Sequence, residues 1–232
     1  MKVLVTGGAG FIGSHVAEYY ARKGDEVIVF DNLVRNELLG KKIGDPLYSW
    51  KYLSQYGNVK LVNGDVRCFE ALLEAAKGVK AIIHTAAQVA VTSSIMNPKI
   101  DFEINALGTF NLLEAARLED ASLIFTSTNK VYGENVNKIA VIGKGTRYQC
   151  ADPNFKEGIP KTFPLDLTVH NPYSYSKLSA DIYIQDYAHS CGPKTGVFRT
   201  SCVYCCVARI HDQHGHGWAS PRSYAIALMN PL

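Results

Sequence analysis

Short apolar runs alternate with longer amphipathic segments along most of the chain. The runs that predict strands are Lys2–Thr6, Glu26–Asp31, Val59–Val62, Lys80–His84, Ser122–Thr126 and Thr195–Thr200. Their apolar residues are largely continuous, as expected of strands that are buried on both faces. The segments that predict helices are Gly13–Lys23, Cys68–Ala76, Pro98–Leu118 and Pro172–His189. This alternation predicts an α/β fold with a doubly wound parallel sheet.

Two stretches interrupt the alternation. Residues 33–58 combine glycines and a proline with a tryptophan and several tyrosines, which indicates an elaborated connection. Residues 133–171 contain several more glycines and prolines, which indicates an excursion over a site.

Composition and charge narrow the classes of function. The chain has 232 residues, 47% of them hydrophobic, enough for one large domain with a small appendage. Lys and Arg number 24 against 21 Asp and Glu, and no basic block marks a nucleic-acid or acidic-lipid partner. The N-terminal apolar run is too short for a signal peptide, and no segment approaches the ~20 apolar residues of a membrane-spanning helix. We therefore expect a cytoplasmic protein without nucleic-acid or membrane partners.

A glycine-rich turn joins the first predicted strand to the first helix. Gly7, Gly10 and Gly13 permit a tight turn and a close approach to a pyrophosphate, and the helix N-terminus offers N–H groups to the phosphates. Asp31 ends the second strand, where its carboxylate can accept hydrogen bonds from an adenosine ribose; its alternative role is to cap the following turn. The pattern predicts a dinucleotide site. NAD is favoured over NADP because a carboxylate repels a 2′-phosphate, although Arg35 leaves NADP open.

A second candidate centre lies near the end of the chain. Tyr173 and Lys177 stand four residues apart at the start of a predicted helix, so both project from one face. A nearby ammonium can lower the pKa of a phenol, which would allow Tyr173 to take a proton from a substrate hydroxyl. Taken alone, this spacing is more often a surface pair. Thr128 follows the fifth predicted strand, at the sheet edge where ligands of open parallel sheets bind.

These motifs resemble the extended short-chain dehydrogenase/reductase family, which includes NAD-dependent epimerases and dehydratases. The resemblance implies a Rossmann-type, NAD-binding domain over residues 1–204, with residues 33–58 and 133–171 as insertions. It implies an adenine-binding turn at residues 64–67 and cofactor contacts after the fourth strand. For Ala86 and Ala87 in that segment, the alternative role is tight packing between helix and sheet. The implied cofactor-binding residues are Gly7, Gly10, Phe11, Ile12, Gly13, Asp31, Asn32, Asp65, Val66, Ala86, Ala87, Gln88, Asn105, Tyr173 and Lys177.

The resemblance also implies catalytic roles for Thr128, Tyr173 and Lys177. The implied substrate-binding residues are Gln88, Ser127, Thr128, Asn129 and Tyr173. Sugar dehydratases of the family carry Asp-Glu after the threonine, because eliminating water needs a further acid and base; this chain has Asn129-Lys130. It is most similar to a 2-epimerase branch, which implies a homodimeric nucleotide-sugar epimerase that transfers hydride to NAD and back to the opposite face. A 4-epimerase, another nucleotide-sugar oxidoreductase and a non-catalytic NAD-binding fragment are the alternatives.

The family pattern breaks off near the C-terminus. Residues 205–232 form an atypical tail rich in His, Arg and Ser, so we expect a truncated or frame-altered end that largely lacks the substrate-binding lobe. The tail region contains the potential metal ligands Cys202, Cys205, Cys206, His211, His214 and His216. Zinc sites usually join two ligand pairs across a longer loop, so no metal is predicted.

Overall fold

The protein is built on a parallel β-sheet. A computed structural model describes residues 1–39, 45, 47–201 and 203. Its strands are β1 (Lys2–Thr6), β2 (Glu26–Asp31), β3 (Val59–Asn63), β4 (Ala81–His84), β5 (Ser122–Thr128), β6 (Val141–Lys144), β7 (Arg147–Cys150) and β8 (Thr195–Thr200). The main sheet has the order β3-β2-β1-β4-β5-β8, and β6 and β7 form a separate antiparallel hairpin. The predicted parallel sheet is confirmed; β5 extends to Thr128 because its last residues still pair with β8.

Helices lie on both faces of the sheet. They are α1 (Phe11–Arg22), α2 (Arg35–Leu39), α3 (Tyr48–Leu53), α4 (Phe69–Ala76), α5 (Val91–Met96), α6 (Pro98–Phe102), α7 (Gly108–Leu118) and α8 (Pro172–Ser190). The helix predicted over Pro98–Leu118 contains a π-helical turn at Glu103–Leu107 between α6 and α7. The pattern of the sequence does not predict the short helices α2, α3 and α5. Helix α1 begins two residues earlier than predicted, because the Ser14 N–H already bonds to the Gly10 carbonyl at 3.0 Å.

The helix starts that matter for the site are set by local sequence. Asn171 caps α8 by accepting a hydrogen bond from the Ser174 N–H at 2.9 Å, and Pro172 occupies the first turn. Asn97 and Pro98 begin α6 in the same way. The Asn-Pro pairs therefore give both helices a local start signal, and the Tyr173 N–H adds a distant hydrogen bond to the Ser94 hydroxyl at 3.1 Å.

Apolar cores lie on the two faces of the sheet. On one face, α4, α7 and α8 pack around residues that include Leu112, Leu123 and Ile184. On the other face, α1 and α3 contribute Ala17 and Leu53 to a smaller core. An open apolar groove of about 600 Å³ separates α1 from the ends of β4, β5 and β8. Because parallel sheets are normally covered on both faces, this groove marks the part of the α1 face that the described residues leave open.

Residues 133–171 form an excursion with its own small core. Val131, Tyr132 and Leu178 are buried together, and Ile159 and Phe163 pack against them. Since Leu178 belongs to α8, this cluster attaches the excursion to the helix that carries Tyr173.

The described part of the chain has neither a membrane-spanning helix nor a metal-binding group. None of the helices there combines the length and apolarity of a bilayer-spanning segment. Nor do three His, Cys, Asp or Glu side chains of this part of the chain form a group that could hold a metal ion. The six potential ligands near the C-terminus lie outside the described residues.

The turn between β1 and α1 leaves no room for a side chain at Gly13. A Cβ atom there would lie 2.2 Å from the Gly7 carbonyl oxygen and 2.7 Å from the Thr85 hydroxyl. We expect Gly13→Ala to lower the free energy of unfolding by about 1–3 kcal/mol, as at other overpacked sites. Urea unfolding measures the change. Gly57→Ala is the control, because a Cβ atom at Gly57 would meet open space; equal losses in the two variants would contradict this account of the turn.

Candidate functional site

The glycine turn forms a cradle at the carboxyl edge of the sheet. Gly7 has a φ of +69°, and a Cβ atom on it would lie 2.5 Å from the Ala86 nitrogen. The Gly10 N–H donates to the Gly7 carbonyl at 2.9 Å. The first N–H groups of a helix have no acceptor within it, so the residues after Gly10 point N–H groups and the positive end of the α1 dipole towards the edge. A cradle of this kind fits the diphosphate of a dinucleotide.

Asp31 ties this cradle to the end of β2. Its carboxylate accepts hydrogen bonds from the Ala9 N–H at 3.0 Å and the Leu33 N–H at 2.8 Å. Burial raises the pKa of Asp31, and the two N–H groups and the charge of Arg35 act in the opposite direction. Asp31 therefore caps the following turn, as the alternative role predicts. Each oxygen also keeps a lone pair that can accept from a ribose hydroxyl.

The predicted adenine-binding residues lie beside Asp31. The Asn32 amide donates to Asp65 at 2.9 Å, and the Arg67 guanidinium donates to both Asp65 oxygens at 2.9 and 2.7 Å. The Arg67 bond is the main reason why the pKa of Asp65 falls to about 2. Val66 is buried against Gly108, where a Cβ atom would lie 2.6 Å from its Cγ2. The turn is thus held rigidly before any ligand binds.

A chain of buried hydrogen bonds joins β1 to the helices behind the site. The Thr109 hydroxyl donates to the Asn105 carbonyl at 2.6 Å, so it must accept from His84 Nε2 at 2.9 Å. His84 Nδ1 then accepts from the Thr6 hydroxyl at 2.7 Å. Burial lowers the pKa of His84 to about 3, and the charge of Lys177 adds to this effect. His84 is therefore a neutral structural residue.

The structure brings the three predicted catalytic residues together at the end of β5. The Tyr173 phenol lies near the Thr128 side chain, and Lys177 Nζ donates to the Thr126 carbonyl at 2.8 Å. Burial raises the pKa of Tyr173, the Thr128 side chain lowers it and the charge of Asp101 raises it. The net direction is opposite to the lowering expected from a neighbouring lysine, because burial outweighs the other effects.

Lys177 is almost completely buried, with 2% of its surface exposed. Its Nζ atom lies 4.0 Å from the centroid of the Phe125 ring. Burial lowers the pKa of Lys177 to about 7, and the charges of Asp181 and Asp101 oppose this shift. Lys177 therefore changes its charge close to neutral pH.

Two of the predicted substrate-binding residues turn into the interior. The Ser127 hydroxyl donates to Asp181 at 2.5 Å, and the Gln88 amide donates to Asp101 at 2.9 Å. Their substrate contacts stay predictions. Asn129 is exposed at the mouth of the site together with Lys130, beside Thr128.

Sequence reasoning missed the two buried carboxylates of this site. Asp181 is fully buried and accepts two hydrogen bonds from Arg199, at 3.0 and 2.9 Å. Asp101 accepts from the Asn105 amide at 3.2 Å. Each stands four residues from a predicted site residue, Asp101 before Asn105 and Asp181 after Lys177. The i,i+4 spacing was the signal that could have found them, because such residues share a helix face.

Comparisons with known proteins agree with this geometry. The model of the "NAD dependent epimerase/dehydratase family" matches residues 3–216. A CDP-paratose 2-epimerase from Salmonella typhi is 43% identical over 223 residues, which cover 94% of this chain and 61% of that protein. The UDP-glucose 4-epimerase of Thermus thermophilus, solved with NAD, superimposes with a TM-score of 0.61 at 33% identity, covering 86% of this chain and 55% of that chain. A dTDP-glucose 4,6-dehydratase from Streptomyces venezuelae, solved with NAD bound, superimposes with a TM-score of 0.64 at 30% identity. The superposition covers 87% of this chain and 55% of that chain.

The chain spans between 55% and 61% of the length of these relatives. Within that span, the family match includes the glycine turn, the end of β5 and the first turns of α8. The resemblance seen in the sequence is confirmed: the chain belongs to the NAD dependent epimerase/dehydratase family.

Proposed function

We propose that this chain is the NAD-binding and catalytic part of a nucleotide-sugar epimerase that inverts the sugar at C2. The observation that carries the proposal is the meeting of Tyr173 and Lys177, at the start of α8, with the end of β5, where Tyr173 lies near Thr128 and Lys177 donates to the Thr126 carbonyl at 2.8 Å. The reaction named for the relative from Salmonella typhi supports the choice of C2. The chemistry that NAD supplies when bound is the reversible acceptance of a hydride from a sugar carbon.

The described residues would hold the adenosine and diphosphate parts of the cofactor. The N–H groups at the start of α1 would hold the diphosphate, and Asp31 would accept hydrogen bonds from the adenosine ribose. Asp65 and Val66 would border the adenine. A carboxylate at this ribose disfavours a 2′-phosphate, so the site should prefer NAD to NADP.

Tyr173 would move the proton of the reacting sugar hydroxyl. Its side chain is half-buried near Thr128, whose hydroxyl would orient both the phenol and the substrate oxygen. In phenolate form Tyr173 takes the hydroxyl proton during oxidation, and as a phenol it returns the proton during reduction. Inversion follows when the ketone presents its opposite face before reduction.

The mouth of the site favours epimerisation over dehydration. Asn129 and Lys130 stand where dehydratases of the family carry an Asp-Glu pair. An amide and an ammonium can bind a sugar hydroxyl or phosphate, but they do not supply the carboxyl pair that eliminates water. A 4-epimerase would share every catalytic group described here, so the position of the inverted carbon must be measured.

We also propose that the protein is a cytoplasmic homodimer. Cys68, Cys150 and Cys191 are unpaired thiols, the state that a reducing compartment maintains. Phe110 of α7 and Tyr183 of α8 pack edge to face at 5.8 Å, yet they remain 37% and 50% exposed. Exposed apolar clusters of this kind often form interfaces, and a two-fold axis would pair this patch with its copy.

The epimerase proposal predicts that label at C2 stays on the sugar. CDP-paratose deuterated at C2 should give its C2 epimer with the deuterium retained, since the hydride leaves and returns without exchange. Tyr173→Phe should lower turnover by at least about 100-fold. The control is Tyr175→Phe, an exposed tyrosine on the same helix. Exchange of the label with water, or full activity of Tyr173→Phe, would contradict the mechanism. NAD binding without turnover would favour a non-catalytic fragment, and a product inverted at C4 instead of C2 would favour a 4-epimerase.

The charge of Lys177 predicts a pH-dependent effect on stability. Between pH 7 and its ordinary pKa of 10.5, Lys177 binds a proton more often in the unfolded chain than in the folded one. The free energy of unfolding of the native protein therefore rises with pH in this window. The Lys177→Met variant lacks this rise. In urea titrations, the free energy of unfolding of the variant minus that of the native protein should therefore be higher at pH 6 than at pH 9. Lys23→Met, at an exposed lysine, is the control; a difference for Lys177→Met that stays constant with pH would refute the assignment.

The homodimer proposal predicts a change in assembly. Phe110→Glu places a charge in the aromatic patch, so it should convert the dimer to a monomer in sedimentation velocity experiments. Leu167→Glu is the matched control, because Leu167 is 95% exposed and lies in the excursion. A monomeric native protein at micromolar concentration would rule the proposal out.

A further inference from the structure

The carboxylate of Asp101 is a buried acidic group without a role in the mechanism above. Only 1% of its surface is exposed. One oxygen accepts from the Gln88 amide at 2.9 Å and the Asn105 amide at 3.2 Å, and the other accepts from the Ser176 hydroxyl at 2.6 Å. All three donors are neutral, whereas buried charges are usually paired with an opposite charge. A buried carboxylate beside a catalytic pair is therefore a candidate functional group.

The three donors come from separate elements around Tyr173 and Lys177. Gln88 lies in the loop after β4, Asn105 in the π-helical turn and Ser176 in the first turns of α8. The Ser176 hydroxyl also accepts from the Asn105 amide at 3.1 Å, and of its two acceptors Asp101 at 2.6 Å is closer than the Tyr173 carbonyl at 3.1 Å. The carboxylate thus gathers these elements at one point.

We propose that Asp101 is a positioning residue of the epimerase site, an inference that rests on the proposed function. Its carboxylate fixes Ser176, and with it the helical turn between Tyr173 and Lys177, against the loop that carries Gln88. Its negative charge also favours the protonated form of Lys177 beside the substrate.

The groups that face Lys177 support this second role. Asp101 faces it from α6, Asp181 from α8 and His84 from β4. His84 is neutral, and the charge of Asp181 is shared with Arg199, which binds it at 2.9 Å. The hydrogen-bond donors to Asp101 are uncharged, so its field acts on Lys177 without an intervening cation.

Two substitutions separate the charge of Asp101 from its hydrogen bonds. Asp101→Asn keeps the shape and removes the charge, whereas Ser176→Ala keeps the charge and removes the link to α8. The control is Glu103→Gln, two residues away, where the carboxylate pairs with Lys99 on the surface of the same helical segment.

The test is an NMR titration of the lysine side chains in the full, ligand-free protein, with the Lys177 signal assigned by its loss in Lys177→Met. Asp101→Asn should move the titration of Lys177 to lower pH, and Glu103→Gln should leave it in place. Ser176→Ala should increase amide hydrogen exchange in the first turns of α8 by about tenfold, the effect of one lost hydrogen bond.

An unmoved Lys177 titration in folded Asp101→Asn would overturn the electrostatic role, and unchanged exchange in Ser176→Ala would overturn the positioning role. If Asp101→Asn does not fold, the exchange result for Ser176→Ala decides. Neither measurement depends on turnover, so failure of this inference is distinguishable from failure of the epimerase proposal.

Discussion

Buried polar groups at the carboxyl edge of the sheet must find partners within the protein, and this requirement holds the whole site together. The hydrogen bonds run from Thr6 of β1 through His84 and Thr109 to Asn105, and from there to Asp101. Each member supplies the donor or acceptor that the next one needs. Loss of one partner would leave another buried and unsatisfied, at about 1–3 kcal/mol. The cofactor cradle and the catalytic helix are consequently parts of one connected structure.

Two carboxylates shape the electrostatics of this edge in different ways. Asp181 is compensated by Arg199, which also donates to the Lys161 carbonyl at 3.1 Å and so attaches the excursion to β8. Asp101 has only neutral donors, and its charge acts on Lys177. Burial lowers the pKa of Lys177 and these charges raise it, and the result is a pKa of about 7. A lysine in this state can respond to the charge of a bound ligand.

The part of the family fold that this chain shares with its relatives includes the whole candidate site. The cradle, Asp31 and the Thr128–Tyr173 pair all lie at strand ends or in the first turn of a helix, within the span that the relatives share with this chain. Rigid elements hold such groups more accurately than loops do. The groove on the α1 face is lined mainly by apolar side chains, and Phe11 and Ile12 of the predicted cofactor site are among them.

The sequence by itself determined the order of the main strands and helices, the glycine turn and the placement of Tyr173 and Lys177 at the start of one helix. These features depend on residues only a few positions apart, so local pattern is sufficient. The short helices in residues 33–58 and the β6–β7 hairpin escaped prediction because their local signals are weak. Only the tertiary structure decided that Ser127 faces Asp181 and that Asp101 meets Ser176, since these bonds join residues 54 and 75 positions apart. It also decided the direction of the Tyr173 pKa, because burial is a property of the folded protein and not of the neighbouring residues.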